Sequence, residues 1–477
     1  MNKIKSFIIS LVFCFLTQIT YTQTLPRAQR DHIRVRSSMV AIKNVTLIDG
    51  TGGPVKYNQD ILLNDKRITS TGKSGTIDIP DQALVLDGTG KTVIPGLIMM
   101  HEHLFHAKPF YGGFKIVPMP HTFPKMYLAG GVTTMRTAGS LEANTDLNVK
   151  NLIDSGKRIG PNIDVSTPHM QRGGSVAFAP QLKSLYGDEN IENWLNYWFD
   201  KGVTSVKVYT SITKDDLKEI IRVSHKRNIK VTGHLCSITY QEAAELGIDN
   251  LEHGFAASSD FIEDKPENEC VPIGESMLDL HEDDPKLLAL MELLIKNNVT
   301  ITSTPTVYEP HTNREIIPGG GSQALAPYLL EQLTNNHNTI IHTPRDSTRQ
   351  AFFDKEMKRL LIFHSLGGKI TLGTDPTGEG RTIAGYSNRR IIEILVEGGF
   401  SIEDAIKLAT FNGAEYLEIE DSTGTIEAGK KADLVLINGV LSDDVSNIRN
   451  IEIVFKAGVG YDSKQIFESV KGVVGRY

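Results

Sequence analysis

The chain has 477 residues, 40% of them hydrophobic, which is enough for one large domain with a substantial core and a smaller companion. Its formal net charge is -7, and no Lys/Arg run is concentrated enough to override that average. Nucleic acid and anionic membrane surfaces are therefore not expected partners.

At the start, Lys3 and Lys5 precede the apolar run SFIISLVFCFL, and the polar stretch TQITYTQT follows. A basic start, a short apolar run and small residues after it have the shape of a secretory signal peptide, expected over residues 1–23. The mature chain is then secreted or periplasmic. The apolar run is only about half of the ~20 residues needed to span a bilayer, so a permanent anchor is the lesser alternative. Phe13 precedes Cys14 where a lipidation signal needs a small residue, so lipidation is not expected. Removing this segment leaves Cys236 and Cys270, the only pair a disulfide could join. With no CxxC knuckle present, a packed thiol is the expectation for Cys236.

From Met39 to Val93, short alternating segments such as VAIKNVTLID and ALVLDGTGKTVI are broken by Gly, Asp and Pro turns. The same texture returns in GTIEAGKKADLVLING and IEIVFKAGVGYDS. The two ends, 24–94 and 425–477, are expected to form one small β-sandwich domain around residues 95–424. Between them strand and helix alternate, with candidate strands VIPGLIMMHEHL, GVTTMRTAG, NIDVSTPHM, SVKVYTS, IKVTGHL, NLEHGF, VTITSTPT and KITLGTDP. Eight is the number a closed (β/α)8 barrel requires; an open doubly wound sheet is the alternative, but no GxGxxG follows the first strand. Two long polar stretches, after Gly254 and after Val307, resist the period and suit loops over a barrel mouth.

Alternation on the first strand points His101 and His103 to one face and Glu102 away. His234 ends VTGHL and His253 ends NLEHG, again at strand ends, where barrel active sites are built. Neutral imidazoles converging on one mouth suit zinc; each alone would be read as a core histidine. Asp375 in TLGTDP is either a metal ligand and proton acceptor or a helix N-cap. Lys207 sits in the apolar strand SVKVY, and burial would leave a neutral amine able to form a Schiff base or a carbamate.

The motifs VIPGLIMMHEHL, GVTTMRTAG, SVKVY, VTGHL, NLEHG, TLGTDP and GTIEAGKKADLVLING together resemble the amidohydrolase superfamily, in its imidazolonepropionase-like and prolidase-like branch. The resemblance implies that His101, His103 and Asp375 hold one divalent metal and that His234 and His253 hold a second. It also implies that Lys207, as a carbamate, bridges the two, with zinc as the default metal. Single-metal members, imidazolonepropionase among them, lack such a lysine. One departure is that Arg136 is followed by Thr137, where relatives commonly carry Arg-Asp.

The expected enzyme hydrolyses an amide or peptide bond of a small substrate, of the Xaa-Pro dipeptide or N-acyl amino acid class, through a metal-activated hydroxide. Asp375 would carry the proton and Tyr209 would donate to the oxyanion, core packing being the other role for that tyrosine. His106, His169, Arg172 and Arg381 follow strand ends and are the candidate substrate contacts, an Arg clamp being suited to a free carboxylate. Lactone or phosphotriester hydrolysis on the same centre is the enzymatic alternative. A non-catalytic periplasmic binding protein or a structural zinc protein is the alternative of another class. A homo-oligomer remains open.

Overall fold

Each of the eight candidate strands forms, and all eight run parallel: β1 (Leu97–Glu102), β2 (Val132–Thr137), β3 (Asn162–Asp164), β4 (Ser205–Val208), β5 (Lys230–Gly233), β6 (Asn250–Glu252), β7 (Thr300–Ser303) and β8 (Ile370–Leu372). The computed structural model describes residues 25–110, 113–173, 183–185, 190–273, 276–312, 314–341, 346–376 and 381–476. The expected signal peptide lies outside the described residues, among which no helix is long and apolar enough to cross a membrane.

Neighbouring strands are joined by parallel ladders from β1 to β3, with register shifts between β1 and β2, and from β4 to β8. Two short links close the ring. Ser166 bridges to Ser205, joining the end of β3 to β4, and the Thr374 and Asp375 amides both donate to the His101 carbonyl, joining β8 to β1. The result is a (β/α)8 barrel. Every residue of β1 and β2 is buried, which explains why β1 opens as the continuous apolar run Leu97–Met100 rather than alternating.

The helices between strands start where the sequence places N-caps. Thr213 caps Lys214–His225, and Thr239 with Glu242 forms a capping box on Tyr240–Leu246. Asp284 caps Pro285–Lys296, whose first residue is the proline. Losing one such cap costs about 1 kcal/mol.

The two chain ends share one nine-stranded sheet. Leu434–Asn438 pairs antiparallel with Lys91–Pro95, Leu434 facing Pro95, so the strand leading into the barrel is zipped to one arriving after it. A separate apolar core that includes Ile42, Ile61, Val93 and Phe455 fills this unit.

Two expectations are corrected. Cys236 is not a packed thiol but is disulfide-bonded to Cys270. The stretch after Val307 is not simply a loop, because it contains the helix Pro327–Ile341. Leu329 and Leu333, one turn apart, bury completely, and the C-terminal tail pins the start of this helix through Ala326 N to Val474 O and Val474 N to Ala324 O, both 2.9 Å. Gly and Pro punctuation around that apolar pair masked its helical period.

Candidate metal centre

At the C-terminal mouth of the barrel the structure brings together His101, His103, Lys207, His234, His253 and Asp375. His101 Nε2 lies 3.6 Å from Asp375 Oδ2 and His103 Nε2 lies 3.2 Å from Asp375 Oδ1. The possible ligand atoms of these three residues all fall within 4.8 Å of one another. The His253 ring is 4.5 Å from that of His101 and 4.2 Å from that of His234, so the four histidines are contiguous.

Three of the rings are fixed from behind. His101 Nδ1 is 2.6 Å from Glu252 Oε2, His103 Nδ1 is 3.1 Å from the Gly139 carbonyl, and His253 Nδ1 is 2.8 Å from Thr304 Oγ1. With Nδ1 occupied, Nε2 of His101 and His103 is left to face Asp375. That is the tautomer and orientation a metal-binding imidazole needs.

Glu252 is the residue that the sequence did not single out. It is fully buried, and its carboxylate also accepts from Arg136 Nη2 at 2.9 Å and lies 3.4 Å from Lys207 Nζ. Alternation along β6 would turn Glu252 away from His253. Instead, His253 takes a left-handed φ of 70°, which breaks the two-residue period and lets both side chains serve the centre. Thr232, Asn250, Thr302 and Arg136 complete a buried polar network beneath it.

Lys207 is 1% exposed, and its Nζ has no hydrogen-bond partner. Burial pushes its pKa down to about 8 despite Glu252. Burial also lowers His234, to about 3, and His253 well below the usual imidazole range, so both imidazoles are neutral at pH 7. Burial opposes ionisation of Asp375, but His101 and His103 outweigh it and hold the carboxyl well below its ordinary value. Neutral imidazoles and an ionised carboxylate, with a buried amine beside Glu252, fit divalent metals.

The outer residues divide. Tyr209 stands over the mouth, its ring 5.0 Å from His169 and 5.2 Å from His234, and the His169 ring stacks 6.0 Å from His103. His106 departs from expectation. Its fully buried ring packs on Phe123, while Phe105 lies 4.5 Å from the His103 ring and clusters with Leu141. Arg172 is engaged by Asp216 through Nε and Nη2 at 2.5 and 2.6 Å, and Arg381 is buried with Nη1 on the Pro310 carbonyl at 2.6 Å. Both guanidinium groups are thus engaged by protein groups. Glu102 points away from the mouth, as alternation requires, and accepts from the Thr374 amide at 3.0 Å and from Asn388 at 2.8 Å. It thereby steadies the backbone that carries Asp375. Thr137, in the place of an Asp, sits 3.1 Å from the Ser166 hydroxyl.

The sequence profile of the amidohydrolase family matches residues 92–460. The chain belongs to this family. Members of this family are metal-dependent hydrolases, and C–N bond hydrolysis is their general chemistry. An adenine deaminase of Clostridium perfringens is 23% identical over 417 residues, 86% of this chain and 57% of the relative. The chain thus spans little more than half the length of that relative. An imidazolonepropionase of Picrophilus torridus is 45% identical over 58 residues, 12% of this chain and 15% of that one. Among solved structures, a putative prolidase from Bifidobacterium longum superposes with a TM-score of 0.66 at 23% identity, covering 91% of this chain and 99% of that one. A Xaa-Pro dipeptidase with bound methionine in its active site gives 0.65 at 20%, covering 89% and 100%. These structural likenesses show that this amidohydrolase shares their fold.

Proposed function

We propose that this amidohydrolase cleaves the amide or peptide bond of a small substrate, of the Xaa-Pro dipeptide or N-acyl amino acid class, at a two-metal centre. The observation that carries the reading is Lys207: a buried amine with no hydrogen-bond partner, among four histidines and Asp375. Its neutral Nζ would attack carbon dioxide, forming one C–N bond and releasing one proton, and the carbamate would offer two oxygens in place of one nitrogen. His101, His103 and Asp375 would hold one metal, His234 and His253 the other, and carboxylated Lys207 would link them. Zinc suits this His/carboxylate set.

Bound metals supply a polarised carbonyl and a more acidic water. The chain's own groups do the rest. Asp375 accepts the proton of the attacking water at a carboxylate oxygen and passes it to the leaving nitrogen. Burial pushes the Tyr209 phenol well up, so it stays protonated and serves as a donor to the developing oxyanion. Phe105 and Leu141 keep water from the His103 side.

The prolidase and Xaa-Pro dipeptidase likenesses support the peptide class, whereas the adenine deaminase likeness favours hydrolytic deamination as a second reading. A panel of Xaa-Pro dipeptides, N-acyl amino acids, a lactone, a phosphotriester and adenine, assayed with the zinc-loaded chain, separates them. Turnover of the first two groups is expected; turnover confined to adenine, or to the lactone and phosphotriester, would contradict the peptide reading.

We also propose a secreted or periplasmic location. The Cys236–Cys270 bond supports it, since disulfides persist in oxidising compartments. N-terminal sequencing of the mature protein tests it, with processing near residue 23 expected.

A further inference from the structure

His234 is held unlike the other three histidines. Their Nδ1 atoms lie at Glu252, the Gly139 carbonyl and Thr304, but among the described residues no hydrogen bond orients the His234 ring. Its support comes through the backbone. The His234 amide donates to Val208 O at 3.2 Å, and two residues on, Cys236 is bonded to Cys270 in the insertion that follows β6.

The rest of that insertion grips the same short stretch. Lys265 Nζ donates to the Ser237 carbonyl at 2.6 Å, and Asp260 accepts from the Tyr240 and Gln241 amides at 2.8 and 2.9 Å. The insertion therefore bears on residues 236–241, directly after the ligand.

We propose that the Cys236–Cys270 crosslink is a positioning device for His234, and that the metal position served by His234 and His253 is consequently redox-dependent. This rests on the two-metal reading above. A ligating imidazole is ordinarily oriented by a partner at its second nitrogen, and losing such a partner weakens metal binding about 10–100-fold. Where that partner is missing, the ring is limited by its packing on His253 and Tyr209 and by the rigidity of the backbone that carries it. A covalent tie across a sequence separation of 34 residues adds rigidity to that of the single hydrogen bonds on this stretch, worth about 1 kcal/mol each. A dithiol reductant would deliver two electrons to the S–S bond, which breaks to give two thiols on uptake of two protons, the reductant becoming a disulfide. His101 and Asp375 are joined by β1–β8 backbone bonds, far in sequence from this tie, and their position is unaffected.

The test compares three forms of the full chain loaded with zinc: oxidised, reduced with dithiothreitol and then freed of reductant under nitrogen, and the Cys236→Ser/Cys270→Ser double variant. Each is dialysed against graded chelator, zinc per chain is measured by elemental analysis, and Tm is recorded by calorimetry. Reduction of the folded, loaded protein needs no refolding, so the result does not depend on the variant. The oxidised form should retain about two zinc ions. The reduced form and the variant should lose one of them at roughly 10–100-fold lower chelator, with the other unchanged. Equal retention of both ions with only a lower Tm would mean a purely structural crosslink and overturn the proposal. A single zinc ion in the oxidised form would overturn the two-metal reading and the proposal with it.

Discussion

His101 Nδ1 and Glu252 Oε2 lie 2.6 Å apart inside the barrel, both essentially inaccessible to solvent. This contact fixes which imidazole nitrogen faces the mouth and places a negative charge behind it. Glu252→Gln keeps the size but removes the charge that balances Arg136 and Lys207. It is expected to weaken metal affinity about 10–100-fold, measured by chelator competition, with the barrel still folded by circular dichroism. Unchanged affinity would show that Glu252 is not part of the centre.

Tyr209→Phe removes one hydroxyl and leaves the ring against His169 and His234. If the hydroxyl donates to the oxyanion, kcat should fall about 10²-fold with little change in KM and none in Tm. A drop in Tm with unaltered kcat would assign Tyr209 to packing instead.

Much of the site was legible because barrel strands impose simple rules. Alternation separated His101 and His103 from Glu102, and strand ends located His234, His253 and Asp375. Glu252 was missed because the left-handed turn at His253 defeats alternation, and no local pattern announces it. His106 was misplaced for the opposite reason. After β1 the strand Phe105–Phe110, paired antiparallel with Gly113–Pro118, restarts the period, so Phe105 rather than His106 meets His103. The Cys236–Cys270 bond joins segments whose approach depends on tertiary contacts of the insertion, which spacing alone does not encode.

Glu356, which grips the backbone just after His253, offers a pH test of stability. Burial raises its pKa from 4.5 to about 8, while one carboxyl oxygen accepts from the Phe255 amide at 2.8 Å. The folded state therefore holds a proton that the unfolded chain releases above pH 4.5, so this group's contribution to stability is full below that pH. The contribution is lost as pH rises towards 8, by at most about 1.4 kcal/mol per pH unit. Glu356→Gln should remove that slope and gain on the wild type as pH climbs from 5 to 8. Denaturant unfolding at several pH values reads it; parallel wild-type and variant profiles would contradict the assignment.

Lys207→Arg keeps the positive charge but cannot form the carbamate. Its fixed charge sits where burial already disfavours a cation, so the variant should be less stable than wild type and should fail to take up labelled bicarbonate. Uptake equal to wild type would place carboxylation elsewhere.

The central claim is a two-metal centre linked through Lys207, and elemental analysis of zinc-loaded wild type and Lys207→Ala tests it most directly. About two metals per wild-type chain and fewer in the variant are predicted. One metal or none, unchanged by the substitution, would contradict it.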